Sequence, residues 1–161
     1  MEIERKFLVK ILPNLSDYSF HSIEQGYLNT NPVVRVRKQD DEYYLTYKGS
    51  GLMTREEYNL PLTKDGYLHL IDKADDNVIT KKRYIIPFEK YIIELDVFEG
   101  LFKGIILAEV EFENEAEAKS FVAPDWFGKD VTLDGRFHNS KMSKMNSEDI
   151  SLLVNMSKSG E

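Results

Sequence analysis

A two-residue period in side-chain character, repeated over seven separate segments, constrains this chain more than any other feature. The opening Met-Glu-Ile-Glu-Arg-Lys-Phe sets the pattern. Successive side chains of an extended strand point to opposite faces. Glu2, Glu4 and Lys6 therefore share one face, and Ile3, Phe7 and Val9 the other, with Arg5 among them. The alternation returns in later segments. Arg35 and Arg37 oppose Val34 and Val36, and Thr46 and Lys48 oppose Leu45 and Tyr47. Arg55, Glu57 and Asn59 align, as do Lys81 and Arg83. Glu94 and Asp96 oppose Ile93, Leu95 and Val97, and Glu109, Glu111 and Glu113 oppose Ala108, Val110 and Phe112.

Eight strands follow, at about 2–9, 21–28, 33–38, 43–48, 54–60, 78–86, 91–98 and 105–113. Asn29-Thr30-Asn31-Pro32 and Gln39-Asp40-Asp41-Glu42 supply turn chemistry between them. Thr63 caps a helix whose apolar stripe is Tyr67, Leu68, Leu70, Ile71 and Ala74. Asn114 with Glu117 reads as the capping box of a short helix over 115–121. A further helix is expected over 139–145. One domain spans 1–146, followed by a tail at 147–161 that reads as a weak helix frayed after Ser157. Consecutive strands with short connections favour an antiparallel meander, and closing it removes the exposed edges. The expected fold is α+β: an eight-stranded antiparallel barrel, or tunnel, with helices packed outside.

An open sheet with one wet face explains alternation in any single strand. It does not explain the grouping. Carboxylates concentrate on the first, seventh and eighth strands, and Arg and Lys on the third to sixth, whereas a solvated face would mix signs to limit repulsion. Glu2, Glu4, Glu109 and Glu111 packed together call for hard divalent cations, and carboxylate oxygen suits Mg²⁺ or Mn²⁺. The clustered guanidinium forks and ammonium groups match phosphate oxygens. Metal on one wall and phosphate on the other is the arrangement that phosphoryl transfer uses.

Other classes fit less well. A net charge of −7 opposes a general nucleic-acid surface. No apolar run approaches the ~20 residues of a membrane span. The start on charged residues shows no signal peptide, and the absence of cysteine excludes disulfides and thiolate sites, both compatible with a cytoplasmic location. Lys48-Gly49-Ser50 lacks the preceding glycines of a P-loop and sits on a strand. His21, His69 and His138 have no metal-site spacing, and Trp126 reads as a packing anchor.

The ordered motifs resemble a known family. Glu2-Ile3-Glu4-Arg5-Lys6 is similar to the ExExK signature of the CYTH superfamily, the triphosphate tunnel metalloenzymes. Gln25–Leu28, Val34–Arg37, Leu45–Gly49, Ile79–Tyr84, Ile93–Phe98, Leu107–Phe112 and Val131–Phe137 resemble its later segments in the same order. The resemblance implies metal-dependent hydrolysis of a linear triphosphate, foremost inorganic tripolyphosphate. It implies metal ligation by Glu2, Glu4, Glu109 and Glu111, helped by Glu94 or Asp96. Lys6, Arg35, Arg37, Lys48, Arg55, Lys81 and Arg83 would grip phosphates, with Glu57 orienting neighbours. Lys81 with Tyr27, and Glu111 on the metal side, would carry the catalytic roles. Asn59 departs from the pattern, since many relatives place an acid there, and Lys82 stands where relatives often carry Thr. A class IV-type adenylyl cyclase, a thiamine triphosphatase, a nucleoside triphosphatase and a non-catalytic polyphosphate- or nucleotide-binding module are the alternatives. The chain would act as a monomer or homodimer, with a small anionic substrate as its partner.

Overall fold

The computed structural model describes all residues, 1–161. One long antiparallel sheet dominates it. Its strands are β1 (Glu2–Val9), β2 (Phe20–Thr30), β3 (Val33–Gln39), β4 (Glu42–Lys48), β5 (Thr54–Arg55), β6 (Glu57–Pro61), β7 (Asp75–Phe88), β8 (Tyr91–Phe98), β9 (Ile106–Glu111) and β10 (Phe127–Asp130). The spatial order is β10-β1-β9-β8-β7-β2-β3-β4-β6. Four helices, α1 (Lys64–Ile71), α2 (Glu115–Ser120), α3 (Asn139–Met142) and α4 (Ser147–Ser159), accompany the sheet.

The expected antiparallel tunnel forms, but its seam differs in detail from a closed barrel. The segment read as one fifth strand breaks at Glu56. Its first two residues, β5, pair with β1 (Arg55 opposite Glu2), and the remainder, β6, pairs with β4 (Glu57 opposite Lys48). One segment thus reaches both ends of the curl without a continuous hydrogen-bonded ladder between them. β10 was not expected from the sequence; four residues carry too little alternation to show a period. It covers the edge of β1, with Phe7 opposite Asp130.

Outward apolar residues pack in two clusters. Phe7, Ile93, Leu95, Ala108, Val110 and Phe112 meet Phe127 and the α2 side of the molecule. Arg5 stays on this outer face, where it donates to the Ala118 carbonyl at 2.8 Å and pairs with Asp130 at 2.8 Å. The second cluster gathers Ile79, Phe98, Phe102, Leu107, Phe137, Met142 and Leu153. α1 begins as expected, with the Thr63 hydroxyl accepting from Gly66 N at 3.0 Å. Tyr67 faces inward and Leu68 remains exposed. Gly26 lets α1 approach β2, since a Cβ there would lie 2.7 Å from Ala74 Cβ and Ile71 Cδ1.

The C-terminal segment corrects the expectation of a weak, frayed tail. α4 runs on to Ser159. It is capped by Asn146 accepting from Asp149 N at 2.9 Å and stopped by Gly160 at φ 70. Leu153 and Ser157 are buried, and Ser157 Oγ accepts from Ile106 N at 3.0 Å. Its few apolar residues gain stability from docking rather than from intrinsic helix propensity.

Candidate active site

The sheet encloses a polar cavity of about 230 Å³. The expected segregation of charge is set by strand order. β1, β9 and β8 are neighbours and bring Glu2, Glu4, Glu109, Glu111 and Glu94 together, while β7, β3, β4 and β5 bring Lys81, Arg83, Arg35, Arg37, Lys48 and Arg55. Register sharpens the acidic wall: Glu4 lies opposite Glu111, and Glu109 lies between Lys6 on β1 and Glu94 on β8. Lys6, Tyr27 and Glu57 complete the set of expected residues on the lining.

Asp96 is the exception. It is fully buried and does not line the cavity. Its Oδ2 accepts from Lys81 Nζ at 2.6 Å and Arg83 Nη2 at 2.9 Å, and its Oδ1 from Arg83 Nε at 2.8 Å. With both oxygens committed, Asp96 organises the basic wall rather than presenting a lone pair to the cavity. Burial alone would raise its pKa, but Arg83 and Lys81 overcome that and hold the carboxyl below its ordinary value.

The two walls neutralise one another across the curl. Lys6 lies 3.3 Å from Glu109, Lys48 3.0 Å from Glu2 and 3.2 Å from Glu57, and Arg83 3.3 Å from Glu94 and 3.4 Å from Glu109. No three carboxylates converge on one point as the side chains stand. The donor chemistry nonetheless fits a hard cation. Burial, together with the Glu109 charge, raises the pKa of Glu4. Burial, a hydrogen bond with Glu57 and the Glu4 charge push Glu2 up to about 8. Both shifts disfavour the charged carboxylates, and a nearby positive charge would oppose them. On the opposite wall, burial and the neighbouring Arg35 and Arg83 push Arg37 down to about 10. Arg35 Nε, a buried side-chain donor without a hydrogen-bond partner, belongs to this same lining and is suited to an anion.

Lys81 is buried on the cavity floor, and its pKa is pushed down to about 7. Burial is the main cause, with repulsion from Arg83 and Arg37 added and attraction to Asp96 opposing. Like-charge repulsion, the cause expected from sequence, is therefore the smaller effect. Tyr27 lies on the same lining but is not bonded to Lys81. Its hydroxyl meets Gln25 Nε2 at 3.5 Å.

Sequence reasoning gave no role to Gln25 or Asn139, yet they join the floor together. Gln25 Oε1 accepts from Arg37 Nε at 2.8 Å, and Gln25 Nε2 donates to Asn139 Oδ1 at 2.8 Å. That Asn139 oxygen also accepts from Lys81 Nζ at 2.9 Å. Gln25 shares the face of Tyr27 on β2 and could have been found by the two-residue period. Asn139 lies outside any strand, and only the tertiary fold brings it here. His138, read as a packing or surface histidine, is buried beside the floor. Burial, then the Lys6 and Arg55 charges, push it down to about 3.

A curled antiparallel sheet with opposed carboxylate and guanidinium walls defines a class of protein that handles polyanions inside a tunnel, and the chain belongs to the CYTH domain family, which matches residues 1–147. It is similar to the inorganic triphosphatases of Nitrosomonas europaea and Acetivibrio thermocellus. Each is 37% identical, over 88% of this chain and 96% of the first relative, and over 89% of this chain and 93% of the second. A crystal structure of an inorganic triphosphatase superposes with a TM-score of 0.69 at 33% identity, covering 91% of this chain and 96% of that one. A putative adenylate cyclase from Bacillus halodurans shares the fold at 18% identity and a TM-score of 0.52, covering 91% and 92%.

Proposed function

We propose that this protein hydrolyses a linear triphosphate, foremost inorganic tripolyphosphate, to pyrophosphate and phosphate with the help of Mg²⁺ or Mn²⁺. The observation that carries the reading is the pair of facing walls, one of carboxylates and the other of guanidinium and ammonium groups, inside one small cavity. A bound metal–triphosphate complex would match both.

Lys6, Arg35, Arg37, Lys48, Arg55 and Arg83 bind and orient the phosphate chain, and the Arg35 Nε–H gains the acceptor it lacks. Glu2, Glu4, Glu109 and Glu111, with Glu94 at the rim, would hold the cation, which neutralises charge on the phosphoryl oxygens. Glu57 keeps Lys48 in place. Water attacks the terminal phosphorus, the bridging P–O bond breaks, and pyrophosphate leaves with the electron pair. Lys81 takes a proton from the attacking water. A lysine near 7 can exist neutral at working pH, which an ordinary lysine does not. Asp96 and Asn139 position its Nζ.

A class IV-type cyclase shares the fold but needs a base-reading pocket, and the cavity offers charged groups almost throughout. A binding module without turnover would not require a lysine tuned toward neutrality. The test is product analysis with tripolyphosphate in the presence of Mg²⁺ or Mn²⁺, with and without excess chelator. Equimolar pyrophosphate and phosphate that disappear on chelation are expected, with Glu111→Gln raising the metal concentration needed. Full turnover in chelator contradicts the proposal.

A further inference from the structure

The tunnel is not electrically symmetric. A second cavity of about 450 Å³ adjoins the central one and shares Arg55, Val33 and Ser140 with it. The β2–β3 turn, the loop over 49–52 and the residues around α3 enclose it. Its charged lining is Arg55, Lys141 and Lys144, without a single Asp or Glu. On the other side, a cavity of about 720 Å³ meets the centre through Glu94 and Glu111 and adds Glu113 and Glu117 against Lys90. A third cavity, near Tyr44, mixes Arg35 and Arg37 with Asp41, Glu42 and Glu57. In a chain of 28 acidic and 21 basic residues, a mouth free of carboxylates is not the default outcome.

Arg55 is shared with Glu2, 3.7 Å away, but the two lysines are available. Lys141 is exposed. Lys144 lies 3.7 Å from Asp76 with both side chains about half exposed, an arrangement worth only ~0–1 kcal/mol. Arg55 faces both cavities, so an anion in the mouth lies one residue from the catalytic wall. Ser50, Ser140 and Asn31 add neutral donors.

We infer that the mouth beside α3 is a second phosphate-binding site, distinct from the central cavity, through which the anionic substrate is drawn in. Binding of a phosphate group there stands on the charges alone; the steering of a triphosphate rests on the proposed function. A one-sign mouth between low-dielectric walls concentrates oppositely charged ligands and speeds their capture, an effect that salt weakens.

The test uses the whole chain and the double variant Lys141→Gln/Lys144→Gln, whose sites are surface positions away from the proposed machinery. Inorganic phosphate is titrated in the absence of metal while backbone amide NMR shifts are followed. Shifts at residues 49–52 and 141–144 are expected in the native chain and lost in the variant, with β3, β4 and β7 of the basic wall still responding. With tripolyphosphate, the variant should keep kcat and lose about fivefold in kcat/KM at low salt, the difference vanishing at high salt. Shifts confined to β3, β4 and β7, or a variant that titrates like the native chain, overturn the second site. Equal salt dependence of kcat/KM overturns the steering. If neither chain turns over tripolyphosphate, the proposed function fails, and the phosphate titration still decides the site.

Discussion

Replacing Asp96 by Asn is the sharpest test of how the basic wall is held. The substitution keeps the shape and removes one buried charge that serves Lys81 at 2.6 Å and Arg83 at 2.8 and 2.9 Å. The Asn amide group would turn donors toward donors. Breaking a buried ion pair by removing one partner costs about 3–5 kcal/mol. Two features bring this case to the lower end. Lys81, already near 7, can shed its proton with little further cost at neutral pH. Arg83 cannot, but it keeps Glu94 at 3.3 Å and Glu109 at 3.4 Å. The expected loss is therefore ~3 kcal/mol, a large share of the ~5–15 kcal/mol typical of a folded domain. With a urea slope of ~2 kcal/mol/M, the midpoint should fall by about 1.5 M. Trp126, the single tryptophan, reports the transition by fluorescence. The acid dependence has a definite sign. The depressed pKa of Asp96 gives stability that is present above its ordinary value of 3.8 and lost as pH falls below it, so the variant should lose less than the native chain on acidification there. A midpoint unchanged within the equivalent of ~1 kcal/mol would show that Asp96 does not hold the two cations together.

Lys81→Arg preserves charge but cannot become neutral, so turnover should fall by at least about 100-fold if Lys81 is the base. Tripolyphosphate binding should change far less, and retained turnover would leave Lys81 as a charge contact only. His138, pushed down to about 3 by burial and the nearby Lys6 and Arg55, is neutral in the folded chain. The unfolded chain binds that proton near pH 6.5, so folded stability should fall with acidification by about 1.4 kcal/mol per pH unit between ~6.5 and 3 on account of this residue. His138→Asn should flatten that part of the curve measured by urea unfolding, and identical slopes in both chains would refute the assignment.

Much of the site was legible because charge obeyed the strand period. Most of the charged residues named from the alternation reached the cavity, while Thr46, Asn59, Asp96 and Glu113 did not, and the case of Asp96 is instructive. Sequence can place a carboxylate on a face but not say whether it meets a ligand or two neighbouring cations. That depends on depth along the tunnel and on cross-strand register, here Asp96 opposite both Arg83 and Leu107. Gln25 and Asn139 escaped because hydrogen-bonding amides carry no charge signature. The break at Glu56 escaped because Arg55 and Glu57 alternate as one strand would, although their partners lie on β1 and β4. α4 was underread because its few apolar residues are stabilised by docking, although the Asn146 cap and the Gly160 stop are local signals.

The central claim is that this cavity acts on the phosphate chain itself. A side-by-side phosphate-release assay with tripolyphosphate and ATP, at matched free Mg²⁺ or Mn²⁺, tests it most directly. Tripolyphosphate can engage both walls along its whole length, whereas a nucleoside finds no apolar or base-reading pocket among the charged groups. The account predicts kcat/KM for tripolyphosphate at least about tenfold above ATP, or ~1.4 kcal/mol in transition-state stabilisation, with pyrophosphate and phosphate as products. Equal or better turnover of ATP, or cyclic AMP among the products, would contradict it.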